Sequence, residues 1–278
     1  MEKQSIANAL QIYCDRVGSK NRAANTLKGV SSATISQITT GKWDLISDEM
    51  WRNVATQIGL TSDTWEIVPT RTFQLMTEIL RSAQETSCVF AVTGPAGSGK
   101  TVAIRQYAKE NRQVYVLSCN EFWNRKVFLQ ELLTAMGRDW SGLTVPEMMQ
   151  DVVRTLKTST APLIVMDEAD KLSDQVLYFF ITLYNSLEDH CGIVLCATAY
   201  LKKRIDRGIR LGKKGYAEIY SRMGRSIVPL STVTSTDVMS ICAANGIIEK
   251  ASIKEVVEDA EGDLRRVKRK IQALKIAA

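Results

Sequence analysis

Two different patterns of apolar and polar residues divide the chain. Residues 5–60 contain short stretches with helical spacing, separated by glycines at polar turns, and this predicts a set of short helices. From residue 88 the apolar residues instead form short continuous runs, at 88–93, 113–118, 162–167, 192–198 and 226–230. Because helical stretches separate these runs, they predict an α/β fold in which helices cover both faces of a five-stranded parallel sheet.

The helices expected around this sheet have recognisable starts. Thr144 and Glu147 have the spacing of a capping box and begin the second of two helices expected at 125–136 and 146–158. After residue 230 the strand pattern stops and three helices are expected, at 236–245, 252–261 and 263–276. Ser252 and Glu255 predict a second capping box, and the last helix carries an apolar stripe formed by Leu264, Val267, Ile271 and Leu274.

These patterns predict three domains. An all-helical domain is expected at 1–65, a sheet domain at 66–230 and a small helical domain with a basic C-terminus at 231–278. Residues 61–72 contain a proline and little periodicity, and they are expected to link the first two domains.

Composition narrows the class of protein. The chain has 278 residues, of which 45% are hydrophobic and 24% charged, as in ordinary globular proteins. No apolar run reaches the 18 or so residues of a membrane helix, and the first residues lack the apolar core of a signal peptide, so a cytoplasmic protein without membrane contact is expected. Six cysteines without a C-x-x-C pair and a single histidine argue against a zinc site and predict buried, reduced thiols.

The positive charge is concentrated in two segments. The net charge is +6, yet residues 1–68 hold seven basic and seven acidic side chains. Residues 202–225 hold nine basic and two acidic side chains, and residues 262–278 hold six and one. Dense basic segments indicate a polyanionic partner, most often nucleic acid, and the alternative is a solvated helix face.

One motif predicts nucleotide binding. The sequence GPAGSGKT fits G-x-x-x-x-G-K-[ST] between an apolar strand and a helical stretch, and its residues are Gly94, Pro95, Ala96, Gly97, Ser98, Gly99, Lys100 and Thr101. Glycines at these positions let backbone N–H groups surround phosphate oxygens at a helix N-terminus. Lys100 is expected to reach the β- and γ-phosphates, and Thr101 to ligate Mg²⁺.

Two carboxylates follow the third predicted strand. Asp167 at its carboxyl end is expected to supply the carboxylate ligand of Mg²⁺, and Glu168 to orient the attacking water or accept its proton. Thr198, at the end of the fourth strand, would hold the water or the γ-phosphate. Asp170 is expected to be a solvated or capping residue.

Three arginines are candidates for contact with phosphate. Arg222 and Arg225 precede the last strand and would reach the γ-phosphate of a neighbouring subunit, where developing charge needs a cation. Arg265 begins the last helix and would contact phosphate in its own subunit. Surface arginines without such a role are the alternative for each.

These motifs, in this order, resemble the AAA+ ATPases over residues 70–278. The resemblance identifies Walker A at 94–101, Walker B at 163–168, sensor 1 at Thr198, an arginine-finger SR at 221–222 and sensor 2 at 262–265. It implies that the C-terminal helices form a lid and that the nucleotide is ATP. Within the superfamily, the short lid, the basic tail and the preceding helical domain are most similar to transposition ATPases of the phage Mu B type.

The N-terminal domain resembles a repressor-type helix-turn-helix at 19–42. Ala23, Ala24, Leu27, Ile35 and Ile38 have the spacing of two crossing helices, with Gly29 in the turn. That arrangement leaves a polar set on the second helix to face a major groove, namely Ser32, Thr34, Ser36 and Gln37. The balanced charge favours weak or non-specific contact, and a purely structural or protein-binding domain stays an alternative.

The resemblance also implies a function. Proteins of the Mu B type form ATP-dependent helical filaments on double-stranded DNA and deliver that DNA to a transposase, which triggers hydrolysis. Basic residues after the second and fourth strands would then contact DNA; they are Arg125, Lys126, Lys202, Lys203 and Arg204. Trp123 is either a core residue or a further contact. A replication-initiation or helicase-loading ATPase and an ATP-switched transcriptional regulator share these motifs and are the alternatives, with a secretion ATPase third.

Overall fold

The computed structural model describes residues 3–60 and 65–277. Its N-terminal part consists of four α-helices that pack around a small apolar core; they are α1 (Lys3–Val17), α2 (Lys20–Thr26), α3 (Ser32–Thr39) and α4 (Asp48–Gln57). Serine side chains cap α2, α3 and α4 by accepting a backbone N–H. Ala23, Ile35 and Ile38 are fully buried where α2 and α3 cross, as their spacing predicts.

The sheet domain alternates strands and helices as the sequence predicts. Its elements are α5 (Arg71–Thr86), β1 (Val89–Thr93), α6 (Lys100–Glu110), β2 (Val114–Ser118), α7 (Arg125–Ala135), α8 (Val145–Lys157), β3 (Leu163–Asp167), α9 (Asp174–Leu187), β4 (Gly192–Ala197), α10 (Ala199–Arg210), α11 (Tyr216–Arg222) and β5 (Val228–Pro229). The strands lie in the order β2-β3-β4-β1-β5, and every pair is parallel. The predicted five-stranded parallel sheet is thereby confirmed.

Helices cover both faces of this sheet. Ile164 and Met166 of β3 face a core formed with α7 to α11, whereas Leu163 and Val165 face a second core formed with α5 and α6. Because consecutive residues of a strand point to opposite faces, a strand buried on both faces must be apolar throughout. The continuous apolar runs in the sequence have this cause.

The C-terminal helices form a separate small core. They are α12 (Ser235–Ala244), α13 (Lys250–Ala260) and α14 (Leu264–Ala277), and Val267 and Ile271 of α14 are fully buried among them. The predicted capping box of Ser252 and Glu255 is wrong, because α13 begins at Lys250. The Ser252 hydroxyl donates instead to Glu249, three positions before the predicted start. The box predicted for Thr144 and Glu147 is present.

The segment before α5 packs on these C-terminal helices. Part of the predicted linker, residues 61–64, lies outside the described residues. The backbone of Glu66 exchanges two hydrogen bonds with the buried Asn245 side chain, at 2.9 and 3.1 Å, and Trp65 and Val68 join the C-terminal core. The linker prediction is corrected here, since residues 65–70 are docked and α5 begins at Arg71.

The N-terminal helices contact the sheet domain at its β2 edge. The Arg16 guanidinium donates to the Ala108 carbonyl, and the Asn25 amide donates to the Gly137 carbonyl, each at 3.2 Å. Five cysteines are buried as expected, whereas Cys88 is exposed. Within the described part of the chain, no helix has both the length and the apolar character needed to cross a membrane.

Candidate nucleotide-binding site

The glycine-rich loop connects β1 to α6 and adopts a conformation that only glycine accommodates easily. Gly97 and Gly99 have φ values of +72° and +93°, in the left-handed region. Lys100 is the first residue of α6, and its ammonium donates to the carbonyls of Gly94 at 2.9 Å and Pro95 at 2.6 Å. The loop thus holds the lysine side chain within its own curve, beside the helix N-terminus.

The two Walker motifs lie side by side. The hydroxyl of Thr101 donates to a carboxylate oxygen of Asp167 at 2.7 Å, and Asp167 is buried at the carboxyl end of β3. A hydroxyl and one carboxylate, side by side next to a phosphate-binding loop, fit a Mg²⁺ ion that takes its other ligands from phosphate and water. The thiols of Cys119 and Cys196 flank Asp167, and burial, followed by the charge of Asp167, raises the pKa of both, so they remain neutral.

Glu168 is held by a lysine that the sequence analysis did not single out. Its backbone has a φ of +57°, and its carboxylate forms an ion pair with Lys171 at 2.6 Å. The hydrogen bond that Lys171 donates to the Glu168 carboxylate raises the pKa of Lys171. In this arrangement one oxygen of the Glu168 carboxylate is engaged with the lysine.

Thr198 contacts the carboxylate of Asp170, for which the sequence predicts a solvated or capping role. Its hydroxyl donates to Asp170 at 2.5 Å, and its oxygen also accepts the backbone N–H of Tyr200 at the start of α10. Because β3 and β4 are neighbours, the residues that follow them lie side by side. The prediction for Asp170 is therefore corrected, since its side chain belongs to the site.

The C-terminal helices cover the glycine-rich loop. The backbone N–H of Leu264 donates to the Gly97 carbonyl at 2.8 Å, and the Asp263 carboxylate lies directly against Gly97. Arg265 and Lys268 of α14 line the cleft with the glycine-rich loop. Arg265 thus lies beside the glycine-rich loop of its own chain.

The rest of the cleft wall comes from residues that the sequence analysis missed. The cavity measures about 300 Å³, and an apolar wall lines one side of it, formed by Trp65, Ile67, Val68, Phe73 and Ile241. Lys268 lies over the Trp65 ring at 5.3 Å. Nothing in the local sequence pattern of residues 65–68 indicates this role, because it depends on docking against α12 and α14.

Arg222 lies far from the glycine-rich loop of its own chain. Its Nε donates to Asn185 at 3.2 Å, its guanidinium covers the Tyr184 ring at 5.5 Å, and it borders a groove at the amino ends of β1 and β4. The glycine-rich loop follows the carboxyl end of β1, a full strand length away, roughly 15 Å. Arg225 is exposed in the loop after α11, with a φ of +56°.

The predicted DNA contacts fall into two groups. Arg125 and Lys126 are exposed on the first turn of α7, and Lys202 and Lys203 are exposed on α10. The two helices begin at the carboxyl ends of β2 and β4, the same end of the sheet as the nucleotide cleft. Ser32 is exposed on α3, and Thr34 and Gln37 are partly exposed there.

One predicted DNA contact, Arg204, is largely buried, and the aromatic residues near the first group differ in exposure. The Arg204 guanidinium is largely buried and donates to protein oxygens, so we withdraw it from the DNA contacts. Trp123 packs on the main core and against Phe128, as the core alternative predicts. The neighbouring Phe122, which the sequence analysis missed, is 82% exposed on the turn before Arg125.

Comparisons with known proteins agree with this geometry. A family model described as "AAA domain" matches residues 81–205. The DNA transposition protein B of the Mu-like prophage FluMu of Haemophilus influenzae is 24% identical over 202 residues, covering 71% of this chain and 69% of that protein. The ATP-dependent target DNA activator B of Escherichia phage Mu is 23% identical over 242 residues, covering 83% of this chain and 75% of that protein.

A solved structure shows the same fold. The crystal structure of Cdc6p from Pyrobaculum aerophilum matches 77% of this chain with a TM-score of 0.56 and 16% identity. The match spans 63% of that chain, less than two thirds of its length. The chain thus contains an AAA domain at residues 81–205, and over most of its length it is similar to transposition proteins of the phage Mu B type.

Proposed function

We propose that this ATPase assembles on double-stranded DNA when it binds ATP and presents that DNA as a target to a transposase in the cytoplasm. One observation carries the proposal: the nucleotide cleft lies at the carboxyl ends of the strands, and Arg222 lies at their amino ends, on the opposite side of the sheet domain. An arginine so placed reaches a γ-phosphate only on another subunit, so subunits would join head to tail. Head-to-tail contacts that do not close into a ring generate helical filaments.

ATP binding would use groups that are already in position. Backbone N–H groups of the glycine-rich loop and the ammonium of Lys100 would receive the phosphates, and the apolar wall beside Trp65 offers a flat surface for the base. Thr101 and Asp167 would hold Mg²⁺. When bound, Mg²⁺ neutralises charge on the β- and γ-phosphates.

Hydrolysis would depend on residues from two subunits. Glu168 would accept a proton from the attacking water after its pair with Lys171 opens, and Thr198, held by Asp170, would orient that water. Arg265 would contact phosphate within the same subunit. Arg222 or Arg225 would supply the cation from the neighbouring subunit, so turnover would be slow until DNA and the partner align the interface.

DNA would lie along the basic surface formed by the starts of α7 and α10, near the cleft. Arg125, Lys126, Lys202 and Lys203 present exposed charges there, and contacts to phosphates carry no sequence information, which fits non-specific binding. The exposed Phe122 adds an apolar contact on the same surface. The polar side chains of α3, Ser32, Thr34 and Gln37, would make a second and weaker contact.

The printed names of the relatives support the transposase as partner. One is called a DNA transposition protein and the other an activator of target DNA. For this chain, that partner and the DNA target belong to the proposal.

The ATPase rate as a function of protein concentration tests the proposal. If an arginine acts between subunits, the rate per subunit rises steeply with concentration, and duplex DNA shifts the rise to lower concentration. Arg222→Ala flattens this dependence, whereas Arg81→Ala, a change of an exposed arginine on α5, leaves it as in the wild type. A wild-type rate per subunit that is constant with concentration, with and without DNA, rejects the proposal.

A further inference from the structure

Arg204, whose guanidinium is largely buried, is the centre of a hydrogen-bonded cluster. Its guanidinium donates to the Leu172 carbonyl at 2.6 Å, to Asp174 at 2.5 Å and to the Tyr216 hydroxyl at 3.0 Å. The Tyr216 hydroxyl in turn donates to Asp174 at 2.7 Å. We call Arg204, Asp174 and Tyr216 the Arg204 cluster.

One side of the cluster touches the hydrolysis site. Arg204 also donates to the Asp170 carbonyl at 3.3 Å, and the Asp170 side chain accepts the Thr198 hydroxyl at 2.5 Å. The segment that carries Glu168 and Asp170 is therefore held by Arg204 through two of its carbonyls. A displacement of this segment must change or break these hydrogen bonds.

The other side of the cluster holds the helix that bears Arg222. Tyr216 is the first residue of α11 and Arg222 is the last, seven residues in all. The Tyr216 ring lies so close to Gly208 that a Cβ there would be 2.3 Å from it, and a Cβ at Gly215 would be 2.1 Å from the Tyr178 ring. Packing this tight holds the start of α11 against Gly208 of α10 and Tyr178 of α9, so α11 cannot shift without moving them.

Stability alone is a weak reason for such a cluster. An ion pair whose carboxylate is half exposed gains little, because solvent screens the attraction and both side chains lose conformational freedom. The hydrogen bond from Tyr216 comes first among the causes that hold the pKa of Asp174 below its usual range, ahead of the contact with Arg204. The cluster joins four pieces of chain: the segment after β3, the start of α9, α10 and α11.

We propose that the Arg204 cluster positions the arginine that each subunit offers to its neighbour, so that the state of one hydrolysis site sets the activity of the next. Arg204, Asp174 and Tyr216 are positioning residues in this scheme, since they act through Arg222 and do not touch nucleotide. The inference rests on the proposed head-to-tail assembly. It adds a direction: information passes from Thr198 and Asp170 of one subunit to the γ-phosphate bound by the next.

Tyr216→Phe is the most conservative test. It removes one hydroxyl and keeps the ring that packs on Gly208. We expect unchanged affinity for a fluorescent ATP analogue, because Tyr216 does not line the cleft. We expect the turnover of the assembled protein to fall on the order of tenfold, as for the loss of one positioning hydrogen bond.

Mixed assemblies separate a defect in the offered arginine from a defect in the subunit's own site. Glu168→Gln subunits hydrolyse nothing but carry an intact Arg222 and an intact Arg204 cluster. In excess, they supply working arginines to Tyr216→Phe subunits and restore turnover to them. Arg222→Ala is the positive control, which the same excess restores, and Thr198→Ala is the negative control, which it does not.

Each result decides the inference. Restoration of Tyr216→Phe supports it, whereas Tyr216→Phe that is slow and not restored, beside a restored Arg222→Ala, overturns it. Wild-type turnover by Tyr216→Phe also overturns it. If Arg222→Ala itself shows no defect, Arg222 is not the arginine offered to the neighbour and the inference fails, whereas the proposed assembly is judged separately by the concentration dependence of the wild-type rate. Should Tyr216→Phe melt well below the wild type, Asp174→Asn, a change of a half-exposed carboxylate, is judged by the same criteria.

Discussion

Gly97→Ala tests whether the lid lies directly on the phosphate-binding loop. A Cβ at Gly97 would lie 2.0 Å from a carboxylate oxygen of Asp263 and 2.2 Å from its Cγ, far inside van der Waals contact. The Asp263 carboxylate accepts the N–H of Arg265 at 2.7 Å, and the next residue, Leu264, donates to the Gly97 carbonyl at 2.8 Å. One added methyl group must therefore push the start of α14 away from the loop.

The cost follows from the contacts that are lost. Alanine at a φ of +72° costs about 1 kcal/mol wherever it occurs. Loss of the hydrogen bond from Leu264 to Gly97 adds about 1 kcal/mol, and loss of the Asp263 cap adds about as much. We expect Gly97→Ala to lower the free energy of unfolding by about 3 kcal/mol. Gly142→Ala, at a φ of +77° with no atom within 4 Å of the added Cβ, is expected to lower it by about 1 kcal/mol.

Urea denaturation without nucleotide measures these differences. Asp263→Ala removes the atoms that clash, so the double variant is expected to cost about 2 kcal/mol less than the two separate changes together. Equal costs for Gly97→Ala and Gly142→Ala would refute this reasoning. Simple additivity in the double variant would refute it as well.

Three further predictions concern DNA, hydrolysis and pH. Changing Arg125 and Lys126 together to Ala is expected to lower the slope of log affinity against log salt by about 2 in DNA-binding anisotropy, while Lys109→Ala on α6 leaves it unchanged. Lys171→Gln frees the Glu168 carboxylate, the proposed base, from its ion pair, so ATP turnover without DNA is expected to rise up to about fivefold, the worth of an exposed pair; a fall in turnover contradicts this. Burial alone would raise the pKa of Asp151, but hydrogen bonds from two arginines outweigh it and lower that pKa. The stability that Asp151 contributes is therefore complete above about pH 4 and is lost as the pH falls through its lowered pKa, so urea unfolding of Asp151→Asn is expected to show a weaker loss below pH 4 than the wild type.

The sequence predicts the sheet and the centre of the site because both depend on short segments. A strand buried on both faces shows as a continuous apolar run, and the glycine-rich loop is contiguous between β1 and α6. Asp167 is the last residue of its strand, and in a parallel sheet the carboxyl ends of β1 and β3 lie at the same end, with β4 between them. These are local patterns with one structural solution.

Long-range contacts explain most of what the sequence analysis missed. Arg204 lies in a basic stretch that reads as a solvated face, and only its contacts with Asp174 and Tyr216, 30 and 12 positions away, bury it. The docking of residue 66 against Asn245 joins positions 179 apart. Side chains that act through such contacts leave no periodic pattern in the chain.

The misplaced capping box has a different cause. Ser252 and Glu255 have the correct spacing, yet the helix begins at Lys250 because residues further upstream already adopt helical conformation. Capping residues favour a helix start without enforcing it, since one cap is worth about 1 kcal/mol. Packing of α13 against α14 outweighs that contribution.

Sedimentation of the protein with long duplex DNA tests the central claim most directly, because it measures whether ATP at the glycine-rich loop joins subunits along DNA. We predict that the wild type sediments with DNA in the presence of ATP and is released without it, and that Lys100→Ala stays in solution in both cases. Equal sedimentation of the wild type with and without ATP, or sedimentation of Lys100→Ala at the wild-type level, would contradict the claim.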